Sequence, residues 1–183
     1  MKKILVCDIG GTHARAAIAQ GKKIVKRKTF HSNHFSNAIH FLEFALLELG
    51  DADEIRIACA GPVIRGVCTM TNLGWRVDAK KIEKKFGRRV RLVNDVEAMA
   101  LAIAALSRAD LSIINEGKKY PGAQVVVSAG TGLGQAAIIE DKPVSSEGGH
   151  ADFAPTTAQE IRLHAFLQRN ESLFGIPFTH LPA

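Results

Sequence analysis

Asp8-Ile9-Gly10-Gly11-Thr12-His13-Ala14-Arg15 and Ser128-Ala129-Gly130-Thr131-Gly132-Leu133-Gly134 decide how this chain is read. Each follows a short apolar, β-branched run, residues 3–8 in the first case and Val125–Ser128 in the second. Each leads into another strand-like segment, residues 14–19 and Gln135–Ile139, so the Gly/Thr bends join β-hairpins. At an offset of 120 residues, Gly10 falls on Gly130, Ala16-Ala17-Ile18 on Ala136-Ala137-Ile138 and Lys22 on Lys142, which marks an internal duplication. A dinucleotide site would need strand, glycine turn and then helix. Two hairpin bends facing each other across a cleft can instead clamp a polyphosphate with backbone N–H groups and threonine hydroxyls.

Outward from the first bend, residues 23–30 read as a third strand after a turn at Gly21. Residues 36–49 place Ile39, Leu42, Ala45, Leu46 and Leu49 on one helical face, stopped by Gly50. Residues 54–60 and Val90–Val93 read as buried strands. The stretch 61–87 between them reads as an insertion with strand-turn character followed by a helix. Asp95 to Ser107 is alanine-rich and apolar, which predicts a buried helix; a polar connection near 115–122 and a last helix near 157–168 complete the pattern.

The formal charge of +6 raises the question of nucleic acid. Much of the excess sits in Lys80, Lys81, Lys84, Lys85, Arg88, Arg89 and Arg91, where Ile82 and Phe86 are four apart; this is the solvated face of an amphipathic helix, without an aromatic platform or nucleic-acid motif. The basic surface also suits an anionic substrate. Cys7, Cys59 and Cys68 lack metal-ligand spacing and read as free thiols in a reducing compartment. Asp8 interrupts the opening apolar run too early for a signal peptide, and no stretch approaches the roughly 20 apolar residues of a membrane span. A cytoplasmic location is the expectation.

Two other places hold chemistry. Asp95 stands where the strand Val90–Val93 meets a helix, a rigid mount at a strand's carboxyl end; Asn94 or Asp95 could equally cap that helix. Ser-Ser-Glu147-Gly-Gly-His150 is too polar and glycine-rich for core and reads as a binding loop.

Asp8–Arg15, Thr71-Asn-Leu-Gly-Trp75, Asn94-Asp95, Ser128–Gly134 and Glu147-Gly-Gly-His-Ala-Asp-Phe-Ala-Pro155 together, in this order, resemble the motifs of the bacterial glucokinase family. The resemblance runs almost from end to end. It implies an α/β, ribonuclease H-like (actin-like ATPase) fold, a mixed sheet with flanking helices. A first lobe is expected over residues 1–115 and the start of an incomplete second lobe over 123–183. It also implies ATP-dependent phosphorylation of a hexose, glucose to glucose 6-phosphate, with ATP and Mg²⁺ as cofactors. Residue by residue, Asp95 becomes the catalytic base, and Gly10, Gly11, Thr12, Gly130, Thr131 and Gly132 the phosphate bends. Asp8 orients the metal through water, and Asn72, Asn94, Asp95, Glu147 and His150 contact the sugar. His13 is an accepted variation and not a metal ligand, and Trp75 is packing.

Thr179 falls where the family has a further sugar-binding glutamate, and a hydroxyl cannot replace the charge-assisted pair. The family's second lobe, with its adenosine turn, continues well beyond Ala183. A truncated form, a fragment pairing with a complementing chain, or a reduced relative are therefore expected, with self-association through an open sheet edge. The competing function is a non-catalytic sugar-binding or interaction protein. The enzymatic reading requires Asp95 near the phosphate bends and strands, not helices, on both sides of each bend.

Overall fold

The computed structural model describes residues 1–103, 105–118, 120–129, 133–146, 148–151 and 154–169, without the side chains of Ser145 and His150. The chain forms two compact units, Met1–Val126 with Ala136–Ser145, and Val127–Gln135 with Ser146–Ala183.

The first unit is organised by a five-stranded sheet. Strands β1 (Lys3–Ile9), β2 (His13–Gln20) and β3 (Lys23–His31) form an antiparallel meander. Helix α1 (Ala38–Leu49) then carries the chain to β4 (Glu54–Cys59), which pairs parallel with β1. After β5 (Val63–Ile64), β6 (Val67–Met70), β7 (Trp75–Asp78) and helix α2 (Ala79–Phe86), strand β8 (Arg89–Asn94) pairs parallel with β4. The order is β3-β2-β1-β4-β8, a mixed sheet with crossover helices. Strands β5, β6 and β7 form their own small antiparallel sheet. Residues 61–87 thus hold the strand-turn segment and basic helix that their sequence indicates.

Alternation sets which face is buried. In β1, Leu5, Cys7 and Ile9 face the core while Val6 and Asp8 take the other side. Against that core lie Phe41, Leu42, Ala45 and Leu49 of α1, Ile82 of α2 and Met70, Trp75 and Val77 of the small sheet. Asn37 starts α1 by accepting the His40 N–H at 3.0 Å, and Gly50 (φ 100°) ends it. Asp78 caps α2 by accepting from the Lys81 N–H at 3.2 Å. Lys80, Lys81, Lys84 and Lys85 are exposed there, with Lys85 paired to Glu43 at 2.8 Å, as a solvated face requires. Trp75 is buried packing, the three cysteines are free, and His31, His34 and His40 are exposed. No helix among the described residues is long and apolar enough to cross a membrane.

Helix α3 (Asp95–Ile103) departs from expectation. It is shorter than the apolar stretch, and only Val96 and Ala100 are buried, against Ala136, Val126 and Ile138. Met99 and Leu101 are exposed, because apolar composition on all sides gives a helix no more neighbours than its surroundings supply.

A three-stranded sheet, ordered β11-β10-β9, holds β9 (Gln124–Ala129), β10 (Leu133–Ile139) and β11 (Lys142–Ser146). In the second unit a short 3₁₀ turn, Gly148–His150, precedes helix α4 (Ala158–Arg169). Glu160 accepts the Thr156 and Thr157 N–H groups while the Thr157 hydroxyl accepts from Glu160 N–H at 3.2 Å, a reciprocal cap.

Candidate active site

Parallel pairing brings the site together. In register, Ile9 lies beside Cys59 and Cys59 beside Asn94, so β1, β4 and β8 end at one level. Beyond those ends stand Gly10-Gly11-Thr12, Ala60-Gly61 and Asp95. The carboxyl ends of parallel strands are where ligands of open α/β sheets bind, because only there do loops from neighbouring strands converge.

The first bend leads from strand into strand, β1 into β2. Gly10 N–H donates to the His13 carbonyl at 2.9 Å and closes the turn. A Cβ on Gly10 would stand 3.2 Å from that carbonyl oxygen, and one on Gly11 would touch the Asn72 side chain at 3.4 Å. The turn between β6 and β7 therefore sets Asn72 directly against the bend. From the third strand, Ser32 reaches in: its hydroxyl donates to the Gly10 carbonyl at 2.8 Å and its N–H to the Thr12 carbonyl at 3.0 Å. Asp8, just before the bend, pairs with Arg15 across the hairpin at 2.7 Å.

Asn94 settles the capping question raised by the sequence. Its side-chain oxygen accepts the N–H groups of Val96 (2.9 Å) and Glu97 (3.2 Å), so Asn94 is the cap of α3. Its Nδ2 donates to the Gly61 carbonyl at 3.0 Å, tying the loop after β4 to the end of β8. Asp95 keeps one bond of this kind, from Val96 N–H to Oδ1 at 2.9 Å. Burial lifts the Asp95 carboxyl above the ordinary aspartate range, and the neighbouring Asp8 charge pushes the same way, against the pull of the amide donors. Behind it lie two buried thiols: their mutual hydrogen bond and burial raise Cys59, while the same bond lowers Cys68.

Asp8, Gly10, Gly11, Thr12, Asn72, Asn94 and Asp95 thus gather at one end of the sheet in the first unit. The second bend also joins strand to strand, β9 to β10, but Gly130, Thr131 and Gly132 themselves lie outside the described residues, as do Glu147, the His150 side chain and Thr179. Their neighbours are informative. A Cβ on Gly149 would fall 1.6 Å from the Leu133 carbonyl oxygen, and one on Gly148 would fall 2.5 Å from Gln135 Oε1. Gly148 and Gly149 lie flush on the strand that leaves the second bend, where no side chain fits.

Ser32 and Gly61 are the participants that sequence reasoning missed. A serine between two strand-end polar residues has no mark of its own; Gly61, before Pro62, reads only as a turn. Among the described residues no group of three or more His, Cys, Asp or Glu side chains could hold a metal. Asp8 and Asp95 supply hard oxygen donors at one sheet end, a set that fits Mg²⁺, which is usually held by one or two carboxylates with substrate phosphates and water completing its shell.

A sheet of this order, with a Gly/Thr hairpin bend and a strand-end aspartate at its carboxyl side, has the actin-like ATPase fold. The sequence profile of the Glucokinase family matches residues 5–175, and the chain belongs to that family. It is 31% identical over 180 residues to a glucokinase of Nostoc punctiforme, covering 91% of this chain and 53% of that one. It is 35% identical over 175 residues to one of Sinorhizobium fredii, covering 90% and 51%. The chain spans about half the length of the curated relatives it matches. The crystal structure of a glucokinase from an Antarctic psychrotroph superposes with a TM-score of 0.76 at 26% identity, over 99% of this chain and 68% of that one. A ROK family glucokinase from Streptomyces griseus, in complex with glucose and AMPPNP, shares the fold at a TM-score of 0.63 and 23% identity, over 85% and 52%.

Proposed function

We propose that the protein serves the ATP-dependent phosphorylation of a hexose, glucose to glucose 6-phosphate, with Asp95 as general base. The observation that carries this reading is the common level of Ile9, Cys59 and Asn94, which sets a carboxylate of raised basicity beside a Gly/Thr bend.

A sugar hydroxyl is a weak nucleophile. Asp95 accepts its proton as the oxygen attacks the γ-phosphorus and the bond to the ADP oxygen breaks, so one O–P bond replaces another. Burial favours the proton on Asp95, which is what a base must do at the moment of attack. Its own bond to Val96 N–H uses Oδ1. Gly10, Gly11 and Thr12, with Gly130, Thr131 and Gly132 of the second bend, are the amide and hydroxyl donors for the phosphates. Asp8, paired with Arg15, is the residue that would orient a bound Mg²⁺, which would supply neutralisation of the phosphate charge. The sugar is held by Glu147 and His150, by Asn72 and by the second amide hydrogen of Asn94, whose oxygen is committed to the cap.

A coupled assay with glucose and MgATP tests the reading. Turnover in wild type that Asp95→Ala lowers by roughly 10²–10⁴-fold supports it. A second reading, a sugar-binding protein without turnover, rests on Thr179 in place of the family's glutamate. Glucose binding by wild type with no phosphorylation decides for it.

A further inference from the structure

Ser32 is a polar side chain buried completely between the buried rings of Phe30 and Phe35 in sequence. A hydroxyl in such surroundings is costly unless it is bonded. Both of the bonds it donates go to one place. The hydroxyl donates to the Gly10 carbonyl and the N–H to the Thr12 carbonyl, so the two carbonyls that flank Gly11 are held by a single residue of another strand's end. A trans peptide is planar, with its C=O and N–H pointing in opposite directions. Drawing the Gly10 carbonyl toward Ser32 therefore turns the Gly11 N–H away from Ser32. That is the amide at the middle of the bend, and Gly11 has no Cβ to shield it.

We propose that Ser32 is a positioning residue for phosphate binding: it aims the Gly11 N–H at the nucleotide by fixing the carbonyl at the other end of the same peptide. The inference rests on the proposed role of the bend and adds a residue to it. It also distinguishes the two ways in which glycine bends hold anions. An unpinned bend orders its donors only when the ligand arrives, at an entropic cost. This one is ordered beforehand from behind.

The test uses the whole chain as wild type, Ser32→Ala and Ser32→Thr. MgADP and glucose binding are measured by titration calorimetry, and exchange of the Gly11 amide by NMR. Loss of one hydrogen bond that leaves a carbonyl unpaired corresponds to roughly a tenfold change in an equilibrium constant. The expected result is MgADP binding weakened by about that factor in Ser32→Ala, with glucose binding unchanged, faster Gly11 exchange, and recovery of both in Ser32→Thr. Equal MgADP affinity in wild type and Ser32→Ala overturns the proposal. So does a parallel loss of MgADP and glucose binding, since that is what a merely structural serine would give. A wild type that binds no MgADP refutes the phosphate role of the bend itself; unchanged Gly11 exchange in Ser32→Ala then removes the pinning as well, and faster exchange upholds it.

Discussion

The two Gly/Thr hairpins share a sequence pattern and differ in what lies beneath them. Around the first, Leu5, Ile9, Ala14, Ala16 and Ile18 are buried by α1, α2 and the small sheet. In the second, Ala136 is the buried residue among those described, Val125 is 69% exposed and Val127 59%. Strand-bend-strand is a local instruction that both sequences obey. Burial is a property of the neighbours, and the first hairpin has two helices and a second sheet while the cluster around Ala136 draws on Val96 and Ala100. Alike in pattern, the hairpins should therefore respond very differently to substitution.

The sharpest contrast is in stability. Phe41→Ala removes a fully buried ring beneath the first sheet and should cost about 3–5 kcal/mol. Val127→Ala should cost no more than about 0.5 kcal/mol, as surface changes do. Urea melts of both variants check this, and equal losses would break the comparison. The glycines invert the ranking. Gly149→Ala drives a Cβ into the Leu133 backbone, where nothing can yield, and should weaken glucose binding roughly tenfold or more through a local distortion of order 1–3 kcal/mol. Gly10→Ala asks its neighbour to move only a few tenths of an ångström and should weaken MgADP roughly threefold. Paired titrations of the two ligands read this out; an exchange of the two effects would mean the ligands have been assigned to the wrong bends.

The smallest effect concerns pH. The acid limb of kcat should report a group titrating above the ordinary aspartate value of about 3.9, because burial raises Asp95. The same shift has a stability consequence. A carboxyl whose folded-state pKa is raised contributes its stability fully below the unfolded value and loses it as pH climbs through the folded one. Above that window the wild type bears a penalty that Asp95→Asn lacks. Melting curves should place the variant slightly higher at neutral pH, with the gap narrowing toward acid; a gap that widens toward acid contradicts the burial argument.

The sequence disclosed what depends on local pattern. Leu42, Ala45 and Leu49 announced α1, and the periodicity was right because a helix face repeats whatever it packs on. Asp95 was legible as a strand-end residue. That Asn94, not Asp95, caps α3 was not, since both types cap and the choice depends on which side chain turns back over Val96 and Glu97. The exposed side of α3 was unreadable for the reason that separates the hairpins: composition records what could be buried, and neighbours determine what is. Ser32 was hidden most deeply. Its role arises from the third strand ending over the bend between the first two, a fact about the meander and about no motif.

Strand β4 contributes none of the proposed catalytic side chains, yet it sits between β1 and β8. Backbone ladders fix neighbouring strands at about 4.8 Å, so the gap from the end of β1 to the end of β8 is two such steps, roughly 10 Å. That length works as a built-in ruler, set by peptide chemistry alone, into which the reacting phosphate and alcohol would have to fit. A change in β4 that splays the ladder, at Ile57 for instance, would lengthen the ruler and slow the reaction while every group named above kept its own bonds.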